Sequence, residues 1–304
     1  MIHLLGAIKT LSPLHCGVGT GMNDIDLPVA RHKVSGHPLI PGSSIKGVLK
    51  DAFRNDADDR IEALFGADNP DGNDKKAFAS AISMGDALLL ALPVRSFYGT
   101  FAYLVSPYTL QQFKAALARV MPSLKVPEIP THLGLKEKND SYRVMLTTDT
   151  LLKSPNADMI LLEELDLAID KKKADDWAKI IADLYCVNDE DKTLFAKRFA
   201  IADDNALNFL SETGLPVDAR IAIDSKTGTV KQGALWYEET VPPETLMYSL
   251  IGVDRSFSPD VQQGAEELAA VLISEGKRRE LFAQMGGKST TGKGFVSVSF
   301  VKGV

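Results

Sequence analysis

Asp24 and Asp26 stand two residues apart in a polar stretch, and His15 precedes them across a glycine-punctuated turn. In an extended segment both carboxylates would project from one face, about 7 Å apart, so they could hold a divalent ion or orient a nucleophile. His15 could transfer a proton. Taken singly, an aspartate closing an Asx-turn and a structural histidine near a strand end are the plainer readings of the same residues.

Two further stretches are suited to anions. In GGKSTTGKG, Gly287 is followed after four residues by Gly292-Lys293, as at the start of a nucleotide-binding P-loop. Gly294 then stands where a magnesium-binding Ser or Thr belongs, and a strand-like run follows where a helix is needed, which argues against an NTPase. What survives is a run of backbone N–H groups, two lysines and the hydroxyls of Ser289, Thr290 and Thr291, all suited to phosphodiester oxygens. A glycine turn before an ordinary strand is the alternative. PGSSIKGVLKD offers a helix start with Ser43 or Ser44 as N-cap and Lys46 one turn in, where the positive end of the helix dipole favours an anion. A capped surface helix explains it too. Two anion sites together imply a polyanion.

The elements that must position these groups are legible in the apolar pattern. Ile2–Ile8 reads as a buried strand stopped at Ser12-Pro13, and the glycine- and proline-rich loop after it is too long for a simple connection. Ile45, Val48, Leu49, Ala52 and Phe53 keep helical spacing, leaving Lys46, Lys50 and Arg54 on the other side. An acidic surface excursion follows, with a short helix around Arg60–Leu64. Asp86–Val94 and Thr100–Val105 read as strands and Pro107–Val120 as a helix, the beginning of a split βαβ unit. Residues 122–211 mix helices with a strand around Tyr142–Met145, and Lys171–Lys173 reads as a solvated helix face. RIAID and GALWYEE flank a glycine turn as a hairpin; Thr245–Val253 is a further strand-like run and Leu268–Glu280 is helical. The closing FVSVSFV alternates like an amphipathic or edge strand.

Composition limits what surrounds this frame. The 304 residues suffice for a sizeable core, and 23 Gly with 15 Pro suggest a loop-rich body over a helix bundle. No apolar run approaches the roughly 20 residues that span a bilayer, so no membrane partner and a cytoplasmic location are expected. Only Cys16 and Cys186 are present, which excludes a disulfide framework or a CxxC zinc site. Net charge is −6, yet the charge is segregated: Arg31–Arg54 holds five basic residues against one acid, and Gly276–Val304 six against one. An acidic protein with an anion-binding face is the result.

The segments LSPLHCGVGTGMNDIDLPVARH, HPLIPGSSIKGVLKD, GDALLLALPVRSFYGTFAYLVSP, RIAIDSKTGTVKQGALWYEETVPPET and GGKSTTGKG, in that order, resemble the RAMP superfamily of CRISPR proteins. More closely, they are similar to the repeated backbone subunit of the type III-B, Cmr-type, RNA-guided RNA-cleaving complex. The resemblance spans both ends of the chain, with little contribution from residues 122–211. It implies an α+β fold: a ferredoxin-like, RRM-like palm with a β-hairpin thumb and helical insertions. One domain would comprise a palm at 1–120 and 250–304, a helical region at 121–215 and a thumb at 216–249.

The partners it implies are the CRISPR guide RNA, target RNA, copies of the same chain in a helical filament and other Cmr-type effector subunits. Target RNA would be cut at six-nucleotide intervals with a divalent cation, Mg or Mn. Residue by residue, Asp26 in IDLP matches the catalytic aspartate and possible metal ligand, preferred over Asp24 because Leu27-Pro28 follows it. His15 in PLH matches a histidine beside the cleavage site, and Glu238 or Glu239 an acidic thumb position, with Glu239 carried forward. The implied RNA-binding set is Ser43, Ser44, Lys46, Lys50, Arg220 and the terminal loop Gly286, Gly287, Lys288, Ser289, Thr290, Thr291, Gly292 and Lys293. The rival readings are a non-catalytic guide-binding subunit of the same fold, a guide-processing RAMP endoribonuclease, and a phosphate-dependent metabolic enzyme.

Overall fold

A computed structural model describes residues 1–19, 21, 25–54, 58–67, 78–131, 133, 142–273 and 279–303. Asp24 therefore lies outside the described residues. The chain opens with β1 (Ile2–Thr10), β2 (Leu39–Ile40), α1 (Gly42–Ala52), α2 (Arg60–Phe65), β3 (Ile82–Met84), β4 (Ala87–Arg95), β5 (Phe101–Val105) and α3 (Pro107–Val120). The middle adds β6 (Arg143–Leu146), β7 (Met159–Leu162), β8 (Leu165–Lys173), α4 (Asp175–Tyr185), α5 (Asp189–Lys197), β9 (Phe199–Ala202) and α6 (Asp204–Thr213). The hairpin β10 (Val217–Ile223) and β11 (Val230–Glu239) follows, then β12 (Leu246–Val253), α7 (Ala265–Ala269), β13 (Arg279–Gln284) and β14 (Phe295–Lys302).

Among the described residues twelve strands form one mixed sheet in the order β13-β14-β1-β12-β4-β5-β9-β6-β8-β7, with β2 on β4 and β3 on β12; β10 and β11 pair separately. This is a mixed α+β architecture. Both β1 and β4 run antiparallel to β12, which lies between them, so they are parallel to each other and joined through α1. The expected split βαβ unit is therefore present.

Helices cover both faces because the strands alternate. Leu4 and Ile8 of β1 join one core with Ile45, Leu49 and Phe53 of α1, whereas Leu5 and Ala7 join the other with Phe113 of α3 and Trp177 of α4. In β4 the alternation slips: Leu89 and Leu92 face the first core, Leu90 and Ala91 the second. The pairing with β12 shifts there, between Leu246 and Met247, as a bulge requires.

Several expected elements differ. The α1 N-cap is Pro41, not Ser43 or Ser44. Gly42 starts the helix where a Cβ would lie 2.3 Å from the Met84 carbonyl, so the chain turns at the only residue that fits. The excursion at residues 55–77 is described only in part, and its helix α2 is no solvated element, since Ile61, Leu64 and Phe65 are buried in the α1 core. Lys171–Lys173 is the exposed end of strand β8, where the LDLAID alternation has already set an extended backbone. The helix expected at Leu268–Glu280 ends at Ala269, and Glu280 belongs to β13. That late strand pairs with β14, so β14 is an interior strand, buried along most of its length, and β13 takes the edge. No helix among the described residues is long and apolar enough to cross a membrane.

Candidate functional site

The site is assembled along one edge of β11. Alternate residues of a strand turn their N–H and C=O groups to the same side. Even-numbered Trp236 and Glu238 face β10, where they sit opposite Arg220 and Asp218. Odd-numbered Tyr237 and Glu239 direct their backbone to the other edge, and the long front loop covers it. Leu27 N–H donates to the Tyr237 carbonyl at 3.0 Å, and Glu239 N–H to the Leu27 carbonyl at 3.0 Å. Just beyond the strand, Leu14 and Val241 exchange hydrogen bonds of 2.8 Å. An otherwise open strand edge is thereby closed by the loop carrying the candidate groups.

Asp26 is exposed, and its Oδ2 accepts a 2.8 Å hydrogen bond from Tyr237 N–H. Among the described residues its Oδ1 has no partner. His15 is buried, with Nδ1 2.8 Å from the Glu239 carbonyl. A carbonyl only accepts, so Nδ1 carries the proton, and in the neutral ring Nε2 is the acceptor. A Cβ on Gly17 would lie 2.6 Å from that Nε2, so any other residue there would have to displace the ring.

Glu239 is buried and fully engaged: Oε2 accepts from Val29 N–H at 2.9 Å and Oε1 pairs with Arg31. Arg31 in turn donates to the Gly36 and Ser211 carbonyls. Glu239 thus holds the returning arm of the front loop, and its carboxylate is not presented to solvent.

The terminal glycine loop meets the same loop from the tail end. Gly287 N–H donates to the His15 carbonyl at 2.8 Å and Gly294 N–H to the Pro13 carbonyl at 2.9 Å. Gly286, at φ +79°, would place a Cβ 2.4 Å from the His15 carbonyl oxygen. Ser289–Thr291 forms a single 3-10 turn, held by Gln284 Nε2 to the Ser289 and Lys293 carbonyls, so the loop is more ordered than its composition suggests. Its rim, Ser289, Thr290, Thr291 and Gly292, is exposed.

The lysines of this loop are not equivalent. Lys293 is buried, 3.1 Å from Asp218 and 3.3 Å from Glu238. Lys288 is 36% exposed, 2.8 Å from Glu238 and over the Trp236 ring. Arg220 Nε lies 3.5 Å from Glu238, and Trp236 Nε1 donates to it at 2.9 Å. Burial works against ionisation of Glu238; hydrogen bonds from Lys288, Trp236 and Lys293 outweigh it and hold the carboxyl at about 2. The expectation that Lys293 is an open cation gives way to a buried one given over to protein carboxylates. Glu238 as a hub went unread in the sequence, although the facing pairs Asp218/Glu238 and Arg220/Trp236 follow from strand alternation once the hairpin register is known.

At the other anion site, Gly42 N–H donates to Asp86 Oδ1 at 2.8 Å. The α1 start is thus not the set of free N–H groups expected, because the residue leading into β4 delivers a carboxylate there. Ser43 remains exposed and Ser44 half-buried. Lys46 Nζ donates to Ser80 Oγ at 2.6 Å, and Lys50 Nζ to the Gly66 carbonyl at 2.8 Å. Burial and then neighbouring Lys50 lower the Lys46 ammonium. Lys46 retains donors among the described residues, since an ammonium has three. α1 packs against β13, the strand that leads into the glycine loop. Among the described residues no three His, Cys, Asp or Glu side chains form a metal-binding group.

The sequence profile of the RAMP superfamily matches residues 7–297. The CRISPR system Cmr endoribonuclease Cmr4 of Pyrococcus furiosus is 33% identical, the match covering 98% of this chain and 95% of that protein. The crystal structure of oligomeric Cmr4 from the same organism superposes with a TM-score of 0.70 at 27% identity, covering 99% of both chains. A chain of the type III-B Cmr-beta bound to cognate target RNA has the same fold, with a TM-score of 0.70 at 23% identity, over 99% of this chain and 97% of that one.

Proposed function

The chain belongs to the RAMP superfamily, and from that premise we propose that it is the repeated backbone subunit of a type III-B CRISPR effector, holding guide RNA and cutting complementary target RNA. The observation that carries this reading is the meeting of three elements on the β11 edge: the Asp26 loop, the His15 turn and the terminal glycine loop. Exposed hydroxyls and Lys288 suit a phosphate backbone, and they supply affinity without reading bases, as a guide of arbitrary sequence demands. Copies of the chain would stack along the guide with other effector subunits, in the cytoplasm. We assign the ferredoxin-like palm to 1–120 and 250–304 and the thumb hairpin to 216–249; the region at 121–215, expected to be helical, instead adds strands β6–β9 to the main sheet along with α4–α6, because β9 pairs with β5.

Cleavage proceeds by attack of the target 2′-oxygen on its adjacent phosphorus. The O2′–P bond forms as the P–O5′ bond breaks, leaving a 2′,3′-cyclic phosphate, and the 5′-oxygen departs as a hydroxyl with a proton taken from water. Asp26 Oδ1 is the free carboxylate oxygen beside this edge and takes the 2′-hydroxyl proton or ligates a cation. His15 Nε2, buried against Gly17, is a second acceptor on the same loop. A Mg or Mn ion would supply charge stabilisation at the phosphate; the chain offers it Asp26, with RNA oxygens and water completing the shell, as is common for magnesium. Holding the target distorted at the thumb would align attacking and leaving oxygens.

The test is the complex reconstituted on guide RNA with Asp26→Asn chains. Assembly and guide binding are expected to persist while the six-nucleotide cleavage ladder disappears. Cutting at the wild-type rate would overturn the assignment of Asp26.

A further inference from the structure

We propose that the cavity between α5 and the sheet face carrying Lys9, Glu280 and Phe282 is a binding site for an elongated organic cation of the diamine or polyamine class. The cavity shares no lining residue with the RNA edge on β11, so this inference stands apart from the reading of Asp26.

The cavity holds about 510 Å³, the size of a small-ligand site. Strand pairing builds its floor. Lys9 of β1 lies opposite Ser297 of β14, and Ser297 opposite Phe282 of β13, so all three point to one face, and Glu280 joins them two residues before Phe282. Three carboxylates line the space, those of Asp191, Glu244 and Glu280, against two cations, Lys9 and Arg198. Both cations are already engaged. Lys9 Nζ lies 2.6 Å from Glu244 Oε2, while Arg198 Nε donates to the Gly99 carbonyl at 2.9 Å and its guanidinium stands over the Phe101 ring. Glu244 Oε2 also accepts from the Tyr103 hydroxyl; burial, and then Glu244 itself, push that phenol up, so it keeps its proton. Among the described residues Glu280 has no ion-pair partner: Oε1 accepts from the Ser297 hydroxyl, and Oε2, like Glu244 Oε1, accepts from nothing. An excess negative charge with unused acceptor oxygens suits a cation that donates hydrogen bonds.

The walls and the spacing of the charges narrow the class. Tyr103 and Phe195 are buried with ring centroids 4.6 Å apart, Phe101 stands 4.9 Å from Tyr103, and Phe282 is exposed at the mouth. Such rings cover methylene groups and attract ammonium ions to their faces. A bare metal ion would need the carboxylates to converge, yet among the described residues no three His, Cys, Asp or Glu side chains do so. Carboxylates spread along an aromatic cavity fit ammonium groups separated by methylenes. A nucleotide would instead bring its phosphate into surroundings of like charge.

The test is calorimetric titration of the full-length chain, free of nucleic acid and at fixed ionic strength, with spermidine. Saturable binding of one spermidine per chain is expected. Glu280→Gln is expected to weaken it about tenfold and Phe282→Ala about threefold, through loss of a charged acceptor and of a ring face. Glu164→Gln, in the β7–β8 turn at the opposite end of the sheet order, is expected to bind as wild type does. Absence of saturable binding overturns the proposal, as does an equal loss in Glu280→Gln and Glu164→Gln, which would mean diffuse attraction. Displacement of spermidine by magnesium chloride at the same ionic strength, or by guanosine, also overturns it, marking a metal or nucleobase site. If Glu280→Gln does not fold, Phe282→Ala decides: weakened binding supports the site and unchanged binding overturns it.

Discussion

Gly286 shows how little freedom single residues have at this site. Its positive φ and the His15 carbonyl 2.4 Å from a would-be Cβ both exclude a side chain, whereas Gly292, at φ +80°, faces open space. Gly286→Ala is therefore expected to cost about 3 kcal/mol and Gly292→Ala about 1 kcal/mol in urea unfolding, the difference being a backbone clash added to left-handed strain. Equal costs would mean that the glycine loop is not seated on His15. The same residue scale separates two adjacent glutamates. Glu239 ties Val29 and Arg31 into the front loop, Glu238 binds the glycine loop to the hairpin, and neither leaves a carboxylate open to solvent as Asp26 does.

Among the elements, β11 is the spine: one edge pairs with β10 and the other receives the front loop, while its Glu238 side chain receives the tail. This attachment depends on an ionised carboxylate, so it depends on pH. Glu238 sits at about 2 when folded against a usual 4.5, so the unfolded chain binds the extra proton first as pH falls. The stabilisation is complete above the unfolded value and drains away between about pH 5 and about pH 2. Urea midpoints measured across that window are expected to fall with decreasing pH, and to fall less steeply in Glu238→Gln. Parallel slopes would show that the carboxylate is not held as described.

At the scale of the whole molecule, a net charge of −6 coexists with a face meant for RNA because acids and bases are segregated. The basic segments are α1, which packs against β13, and the glycine loop that β13 leads into and that is seated on His15. Guide binding should accordingly weaken with salt. Lys46→Ala is expected to weaken guide binding alike for unrelated guide sequences and to lower the slope of log affinity against log salt by about 0.7 per copy, the loss of one single-strand phosphate contact. A slope unchanged in that variant would place Lys46 away from the phosphate path.

Local pattern was enough to locate β1, α1, β4, β5, α3 and the β10–β11 hairpin, because each has an apolar period or a turn residue that acts within a few positions. By chemical type it also singled out the pair Asp24 and Asp26, His15 and the glycine loop, and the family resemblance then preferred Asp26. Elements whose backbone is decided by distant partners escaped it: β13 is a strand because β14 pairs with it, and β14 is interior for the same reason. Pro41 displaced the serines as N-cap because Met84 and Gly85 press on Gly42, and Asp86 reached the helix start from 44 residues away. Glu238 became a hub when a strand register and a loop from the opposite end of the chain brought three cations to it. Side-chain type and spacing determine which groups can ionise, turn or pack; only long-range packing decides which of them meet, since hydrogen bonds and ion pairs act over ångströms and not along the sequence.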